Sequence, residues 1–141
     1  WTNDGNDTLM GGEGNDNLQG GAGDDTHYGD AGNDIIKGYT GNDTIIGGAG
    51  SDTMTGGDGS DVFTFEALSD STLSNSNGVD HITDFTQGDD LIDLSALGYE
   101  SMDSITITTA DGSTTISGTN DAFQVQLDEE VALQDSDFIL V

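Results

Sequence analysis

Aspartate recurs every nine residues through the first half of the chain, always two positions after a glycine. Carboxylates at so regular a spacing could act as acids and bases or as ligands of a hard cation. Calcium fits better, because it takes six to eight oxygen ligands and accepts backbone carbonyls together with carboxylates. The candidate ligands are the carboxylates of Asp7, Asp16, Asp25, Asp34, Asp43, Asp52 and Asp61 and the carbonyls of loops containing Gly5, Gly14, Gly23, Gly32, Gly41, Gly50 and Gly59.

These residues belong to seven consecutive nonapeptides that run from Thr2 to Thr64. Position four is always glycine, position six is always aspartate, and position eight is large and apolar except at His27. A glycine-rich loop turns tightly and exposes its carbonyls. Positions seven to nine then predict a short strand with position eight pointing inward. One such loop would indicate only a turn, but seven in register predict a repeating architecture.

The nonapeptide resembles the RTX repeat GGxGxDxUx, a calcium-binding β-helix pattern. The resemblance implies an all-β fold, a right-handed parallel β-roll in which two repeats make one turn and alternate repeats stack. Calcium would lie between successive loops on each side of the roll. One side would stack Asp7, Asp25, Asp43 and Asp61, and the other Asp16, Asp34 and Asp52. Counting the gaps between them predicts about five calcium ions.

Five residues depart from the repeat. Thr2 and Asn3 stand where glycine is expected, which predicts a frayed half-site at the first loop. Asp30 and Tyr39 replace the second glycine of the fourth and fifth repeats, where the backbone must still turn. His27 places a polar ring in the inward column, where we expect a tolerated core residue rather than a ligand or base.

The second half of the chain predicts a β cap, because an uncapped roll exposes strand edges and core. Residues 1–65 would be the roll and residues 66–141 its cap, in one continuous domain. Within the cap, Leu73–Val79 indicates a loop and Asp111–Gly112 a hairpin turn. The strand pattern predicts β-strands at 80–85, 91–94, 105–109, 114–117, 123–127 and 138–141.

Residues 80–97 (DHITDFTQGDDLIDLSAL) resemble the segment that follows the roll in serralysin-type metalloproteases and in the R-modules of bacterial mannuronan epimerases. The resemblance implies one more calcium site, with Asp84 and Asp93 as the candidate ligands beside Asp89 and Asp90. Solvated turn carboxylates are the alternative. Residues 137–141 are similar to the uncleaved type I secretion signal of the serralysin group, with an ordinary final strand as the alternative.

Charge and composition limit the function. The chain has 28 acidic residues, one basic residue and a net charge of −27, which disfavours nucleic acids and acidic membranes as partners. Such a charge also opposes compaction, so we expect the calcium-free chain to be unfolded. The chain has no cysteine, and its longest apolar run is far too short to span a membrane.

The sequence predicts a non-enzymatic module of a larger exported protein. It has no HExxH, no GxSxG and no Walker A motif, so any catalytic domain would lie upstream. We expect a monomer that folds outside the cell on binding calcium and that assists type I secretion, with the secretion machinery as partner. The alternative is binding of an anionic polysaccharide such as alginate on the outward face that carries Tyr28, although we expect C-terminal strands to cover that face.

Overall fold

The computed structural model describes residues 4–71 and 78–141. The expected half-site at Thr2 and Asn3 and most of the expected loop at 73–79 lie outside these ranges. Among the described residues no helix is long and apolar enough to cross a membrane. Their strands are β1 (Thr8–Glu13), β2 (Asn17–Ala22), β3 (Thr26–Ala31), β4 (Ile35–Thr40), β5 (Thr44–Ile46), β6 (Thr53–Asp58), β7 (Val62–Thr64), β8 (Asp80–Ile82), β9 (Leu91–Asp93), β10 (Ile105–Ala110), β11 (Ser113–Gly118), β12 (Gln124–Leu127) and β13 (Phe138–Ile139).

The repeats form two parallel sheets that face each other. β1, β3, β5 and β7 stack in one sheet, and β2, β4 and β6 stack in the other. Each strand pairs with the strand two repeats further on, so that Thr8 lies opposite Thr26 and Asn17 lies opposite Ile35. This register confirms the parallel β-roll and its turn of two repeats.

Several strands are longer than the sequence predicted, because the loops also stack in register. Pairing continues past the three-residue strand, so that Gly12 lies opposite Asp30. Asp30 and Tyr39 have φ angles of 71° and 84°, so the backbone turns there as expected without glycine. The next residue in the stack above Asp30 is Gly48, where a Cβ would collide with the Asp30 carbonyl oxygen.

The C-terminal half closes the roll by prolonging both sheets. β8 continues from β6 and β9 from β7, both in parallel. β12, β11 and β10 then extend the seven-stranded sheet, and β13 ends the six-stranded one. The Asp111–Gly112 hairpin turn is confirmed, with φ angles of 54° and 86°. Because these strands join the sheets edge to edge, the expectation that C-terminal strands cover the outward face of the odd repeats is wrong. Met10 on that face is exposed, whereas Ile46 is buried and lies near Glu66, Ala67 and Asp70 of the segment that follows the roll.

The core is one inward column from each sheet. The position-eight side chains are buried, and the cap adds its own buried residues to the same cluster. Phe65 and Phe123 join the roll to the cap with ring centroids 5.3 Å apart, edge to face. His27 is fully buried between Leu9 and Ile45 in the column, and neither ring nitrogen has a hydrogen-bond partner. Burial lowers the pKa of His27, so the ring is neutral in the core.

Replacing His27 by leucine should therefore stabilise the folded protein. An unsatisfied buried polar group costs roughly 1–3 kcal/mol, and leucine is the residue of the first two repeats at this position. We expect the free energy of unfolding, measured by urea denaturation in calcium, to rise by that amount. The gain should grow as the pH falls below about 6.5. There the His27 imidazole takes up a proton in the unfolded parent protein, whereas the buried imidazole of the folded protein does not. Equal or lower stability of the His27→Leu variant would show that the ring has a partner.

Candidate calcium sites

The repeat aspartates form two columns, one along each edge of the roll. Within a column the backbone N–H of one aspartate donates to Oδ1 of the next. The bonds from Asp7 to Asp25 and from Asp25 to Asp43 are each 2.8 Å, and the bond from Asp16 to Asp34 is 2.7 Å. The two columns are the two sides that the repeat predicted.

The second carboxylate oxygen in these columns has no partner within the protein. Burial of an unpaired carboxylate is costly, and the single Lys37 cannot neutralise two columns of them. A cation from outside the protein is therefore required if these groups are to be ionised. The buried Oδ2 atoms without a hydrogen-bond partner are those of Asp16, Asp25, Asp34, Asp43, Asp52, Asp61 and Asp80.

Backbone carbonyls line the same spaces between stacked loops. A Cβ placed on Gly11 would lie 3.0 Å from Oδ2 of Asp16 and 2.6 Å from the carbonyl oxygen of Gly29, which is in the loop stacked on it. A Cβ on Gly20 would likewise lie 2.9 Å from the carbonyl oxygen of Gly38 and would collide with the carboxylate of Asp25. Carboxylate and carbonyl oxygens thus converge where the glycines leave room.

This donor set fits calcium. No group of three or more histidine, cysteine, aspartate or glutamate side chains that could hold a metal occurs in the described ranges 4–71 and 78–141. A metal in these gaps would take much of its shell from backbone oxygens. Calcium accepts such a shell, whereas zinc prefers nitrogen and sulfur.

The electrostatics of the gaps show how unfavourable they are without a cation. Burial raises the pKa of Asp52 to about 7, of Asp61 to about 6 and of Asp80 to about 8, and neighbouring carboxylates add to the shift. Burial also raises the pKa of Asp34 and Asp43. A bound dication would reverse this effect and favour the ionised carboxylates.

Both columns continue beyond the repeats, which the sequence analysis missed. Asp52 donates its N–H to Oδ1 of Asp80 at 2.8 Å, and Asp61 donates to Oδ1 of Asp90 at 2.9 Å. Asp80 is fully buried and Asp90 almost so. The signal was present in the sequence: DHIT and DLID repeat the D-x-U-x half of the nonapeptide, and Gly78 and Gly88 stand two positions before Asp80 and Asp90, as the position-four glycine does in the repeats.

Asp84 and Asp93 have different surroundings. Both carboxylate oxygens of Asp84 accept backbone bonds of 2.9 Å, from Gly56 and Gly57 in the last loop of the roll. Asp93 Oδ1 accepts a bond of 2.9 Å from the N–H of Ser95. Neither extends a column as Asp80 and Asp90 do, so their role as ligands stays a prediction from the resemblance.

A second ladder ties the loops together and was also missed. The position-five side chains accept bonds from the N–H two repeats further on, as in Asp24 N–H to Asn6 Oδ1 at 3.0 Å and Asn42 N–H to Asp24 Oδ1 at 2.8 Å. It runs in the opposite direction to the aspartate ladder. Position five holds only asparagine, aspartate or serine, which was the available signal: Asn6, Asn15, Asp24, Asn33, Asn42, Ser51 and Ser60.

Known proteins share both the repeat and the fold. The family model of the RTX calcium-binding nonapeptide repeat matches residues 1–36 and 28–63. The AlgE6R3 and AlgE6R2 subunits of an Azotobacter vinelandii mannuronan C5-epimerase have solution structures similar to this chain. The first is 30% identical with a TM-score of 0.66, over 100% of this chain and 81% of that one. The second is 28% identical with a TM-score of 0.68, over 96% and 88%.

Two long curated proteins of Azotobacter vinelandii share shorter segments. Alginate lyase 7 is 58% identical over 43 residues, which are 28% of this chain and 5% of the lyase. Mannuronan C5-epimerase AlgE2 is 73% identical over 26 residues, 18% of this chain and 3% of the epimerase. The chain thus spans a small part of the length of both.

Taken together with the roll, these matches define a module of calcium-binding repeats. The chain belongs to the RTX family and is homologous to the R-modules of mannuronan C5-epimerases.

The calcium-free chain should gain β structure on acidification. Three folded-state pKa values, about 6, 7 and 8, lie above the value of about 3.9 for an unfolded aspartate. The folded state therefore binds protons more tightly. Its stabilisation is full below the unfolded pKa and is lost as the pH rises through 6 to 8. We expect far-UV circular dichroism in EDTA to show more β structure at pH 5 than at pH 8. A spectrum independent of pH would contradict the uncompensated burial of these carboxylates.

Proposed function

We propose that the chain is a calcium-gated folding module that becomes ordered outside the cell and assists the export of a larger protein. The observation that supports this most directly is the set of buried Oδ2 atoms without partners along both edges of the roll. Ligand that binds only the folded state stabilises it by mass action. Extracellular calcium modules bind at about 10⁻⁴ to 10⁻³ M, so the module would stay unfolded in the cytosol.

The ligands in this proposal are the repeat aspartates, Asp80, Asp90 and the carbonyls of the glycine loops. The column through Asp7, Asp25, Asp43, Asp61 and Asp90 has four gaps. The column through Asp16, Asp34, Asp52 and Asp80 has three. We therefore propose seven calcium ions, two more than the repeats alone predicted. Seven dications would offset about half of the charge of −27.

An unfolded calcium-free chain suits passage through a narrow channel. The resemblance of residues 137–141 to a type I secretion signal supports that route, with the secretion machinery as partner. The matched solved structures are repeat subunits of an epimerase. That similarity supports a non-catalytic role beside an upstream catalytic domain.

Calcium titration from EDTA, followed by far-UV circular dichroism, tests the gating. We expect a cooperative coil-to-β transition at submillimolar to millimolar calcium. Asp43→Asn should move the midpoint to higher calcium, because it lowers calcium-dependent stability by roughly 2 kcal/mol. Asp24→Asn is the matched control: it removes an equal charge from the loop stacked against that of Asp43 but keeps the side-chain oxygen that asparagine supplies at position five in other repeats. A β-rich spectrum in EDTA that calcium does not change would reject the proposal.

The two sites at the end of the columns can be counted separately. Native mass spectrometry in calcium should give seven bound ions for the parent chain. Asp80→Asn and Asp90→Asn should each give six, because each aspartate closes a single gap. A parent chain with five ions, unchanged by both substitutions, would mean that the columns end with the repeats.

Polysaccharide binding is the second candidate, and one surface favours it. The outward positions along the strands β2, β4, β6, β8 and β12 carry the single basic residue of a chain of −27. Asp128, directly after β12, lies 2.9 Å from His81 Nδ1 at the border of this surface. They are in register across the sheet: His81 lies opposite Thr53, and Lys37 lies opposite Thr55. We call this surface the amide face, and its residues are Asn17, Gln19, Ile35, Lys37, Thr53, Thr55, His81, Gln124 and Gln126.

The amide face suits a linear anionic glycan better than the Tyr28 face does. Amide and hydroxyl groups can hydrogen-bond sugar hydroxyls, and Lys37 can pair with a uronate. The two curated relatives are named as an alginate lyase and a mannuronan epimerase, which supports alginate as the ligand class.

Alginate oligomers should shift the NMR signals of the amide face, with Lys37 among the most affected. Lys37→Glu should weaken binding at least several-fold, since it replaces attraction by repulsion. Tyr28→Ser is the control on the opposite face and should leave affinity unchanged. Shifts at Tyr28, or no shift and no heat at all, would reject the assignment.

A further inference from the structure

The roll has an open groove at the end where both sheets finish. β13 ends the six-stranded sheet and β10, which follows the 3-10 turn Met102–Ser104, ends the seven-stranded one. Between them lies a cavity of about 430 Å³. We call it the terminal groove, and it is lined by Ser101, Met102, Asp103, Asp135, Phe138 and Leu140.

The lining of the terminal groove is apolar at its base and acidic at its rim. Phe138 is buried and Met102 and Leu140 are partly so, and all three pack on the main core. Asp103 and Asp135 are exposed. Among the described residues neither carboxylate has a cationic partner, since the ion pair found there joins His81 to Asp128. The groove therefore offers apolar contact and two negative charges at the same place.

The strand beside the terminal groove can also accept a neighbour. In the part of the chain that the structure describes, β13 pairs with β9 alone, and Leu94 N–H donates to the Ile139 carbonyl at 3.0 Å. The other edge of β13 is partly free: the Phe138 N–H donates to the Asp135 carbonyl, which leaves the Phe138 carbonyl to pair with an extended chain. Such edges bind peptides by strand addition, with main-chain bonds for affinity and adjacent pockets for alternate side chains.

From this juxtaposition we propose that the terminal groove is a docking site for an extended peptide segment of a partner protein with alternating apolar and basic side chains. The apolar side chain would enter between Met102, Phe138 and Leu140. The basic side chain would lie between Asp103 and Asp135. Charge selects this occupant over a second copy of the chain, because a copy brings a charge of −27 and only Lys37, which lies in the middle of β4.

The test uses the whole calcium-loaded chain and an acetylated octapeptide of alternating leucine and lysine. Two-dimensional NMR should show shifts confined to 101–103 and 135–141. The double variant Asp103→Asn with Asp135→Asn should bind about tenfold more weakly, since two rim charges are lost. A peptide with serine in place of leucine should bind at least tenfold more weakly, because it lacks the apolar anchor.

The matched control is the double variant Glu13→Gln with Glu129→Gln, which removes two exposed charges outside the groove. It should bind like the parent chain, and it separates docking from general attraction to a polyanion. Equal weakening of both double variants, or shifts spread over the loops of the roll, would overturn the proposal. Unperturbed signals at Met102 and Phe138 would overturn it as well. Because calcium is saturating throughout, the outcome is independent of the gating proposal.

Discussion

The structure depends on the burial of aspartate carboxylates in columns along the two edges of the roll. From Asp25 onward, Oδ1 of each column carboxylate accepts a backbone bond from the loop below it, whereas Oδ2 faces a gap without a partner. Asp90 is the exception, because its Oδ2 accepts the Thr86 N–H. The first oxygen fixes the spacing of the loops and the second makes that spacing costly until a cation enters. Folding and metal binding are therefore one equilibrium, as in other domains whose ligands come together only in the folded state.

The remaining features of the repeat follow from this constraint. Small residues must line each gap, because a Cβ on Gly11 or Gly20 would occupy the space that the metal needs. The position-five ladder holds the exposed side of the loops in the same register as the aspartate ladder. The thin core, one inward column per sheet, gives limited apolar burial in a chain with so much charge. His27, which is buried with both nitrogens unsatisfied, weakens that core further.

Much of this could be predicted from the sequence, because the repeat is local and periodic. The strands, the inward residues and the alternate stacking of Asp7 with Asp25 and of Asp16 with Asp34 follow from a nine-residue pattern. The cap was harder, because its pairing depends on contacts between distant segments. Asp80 was missed, and Asp90 was expected only as a neighbour of Asp84 and Asp93 in a separate site, because their loops keep the position-four glycine but lack the glycine pair that opens most of the repeats. The terminal groove joins residues 101–103 to 135–140, and no local pattern could have indicated it.

The most direct test of the central claim is a crystal structure with anomalous diffraction that identifies calcium. If calcium fills the columns, an anomalous peak lies in each gap of both columns, at about 2.3–2.6 Å from carboxylate oxygens of the column aspartates and from loop carbonyls. The column ends would include peaks between Asp52 and Asp80 and between Asp61 and Asp90. A folded roll whose gaps hold no peak, or whose metal is bound by exposed carboxylates outside the columns, would contradict the claim.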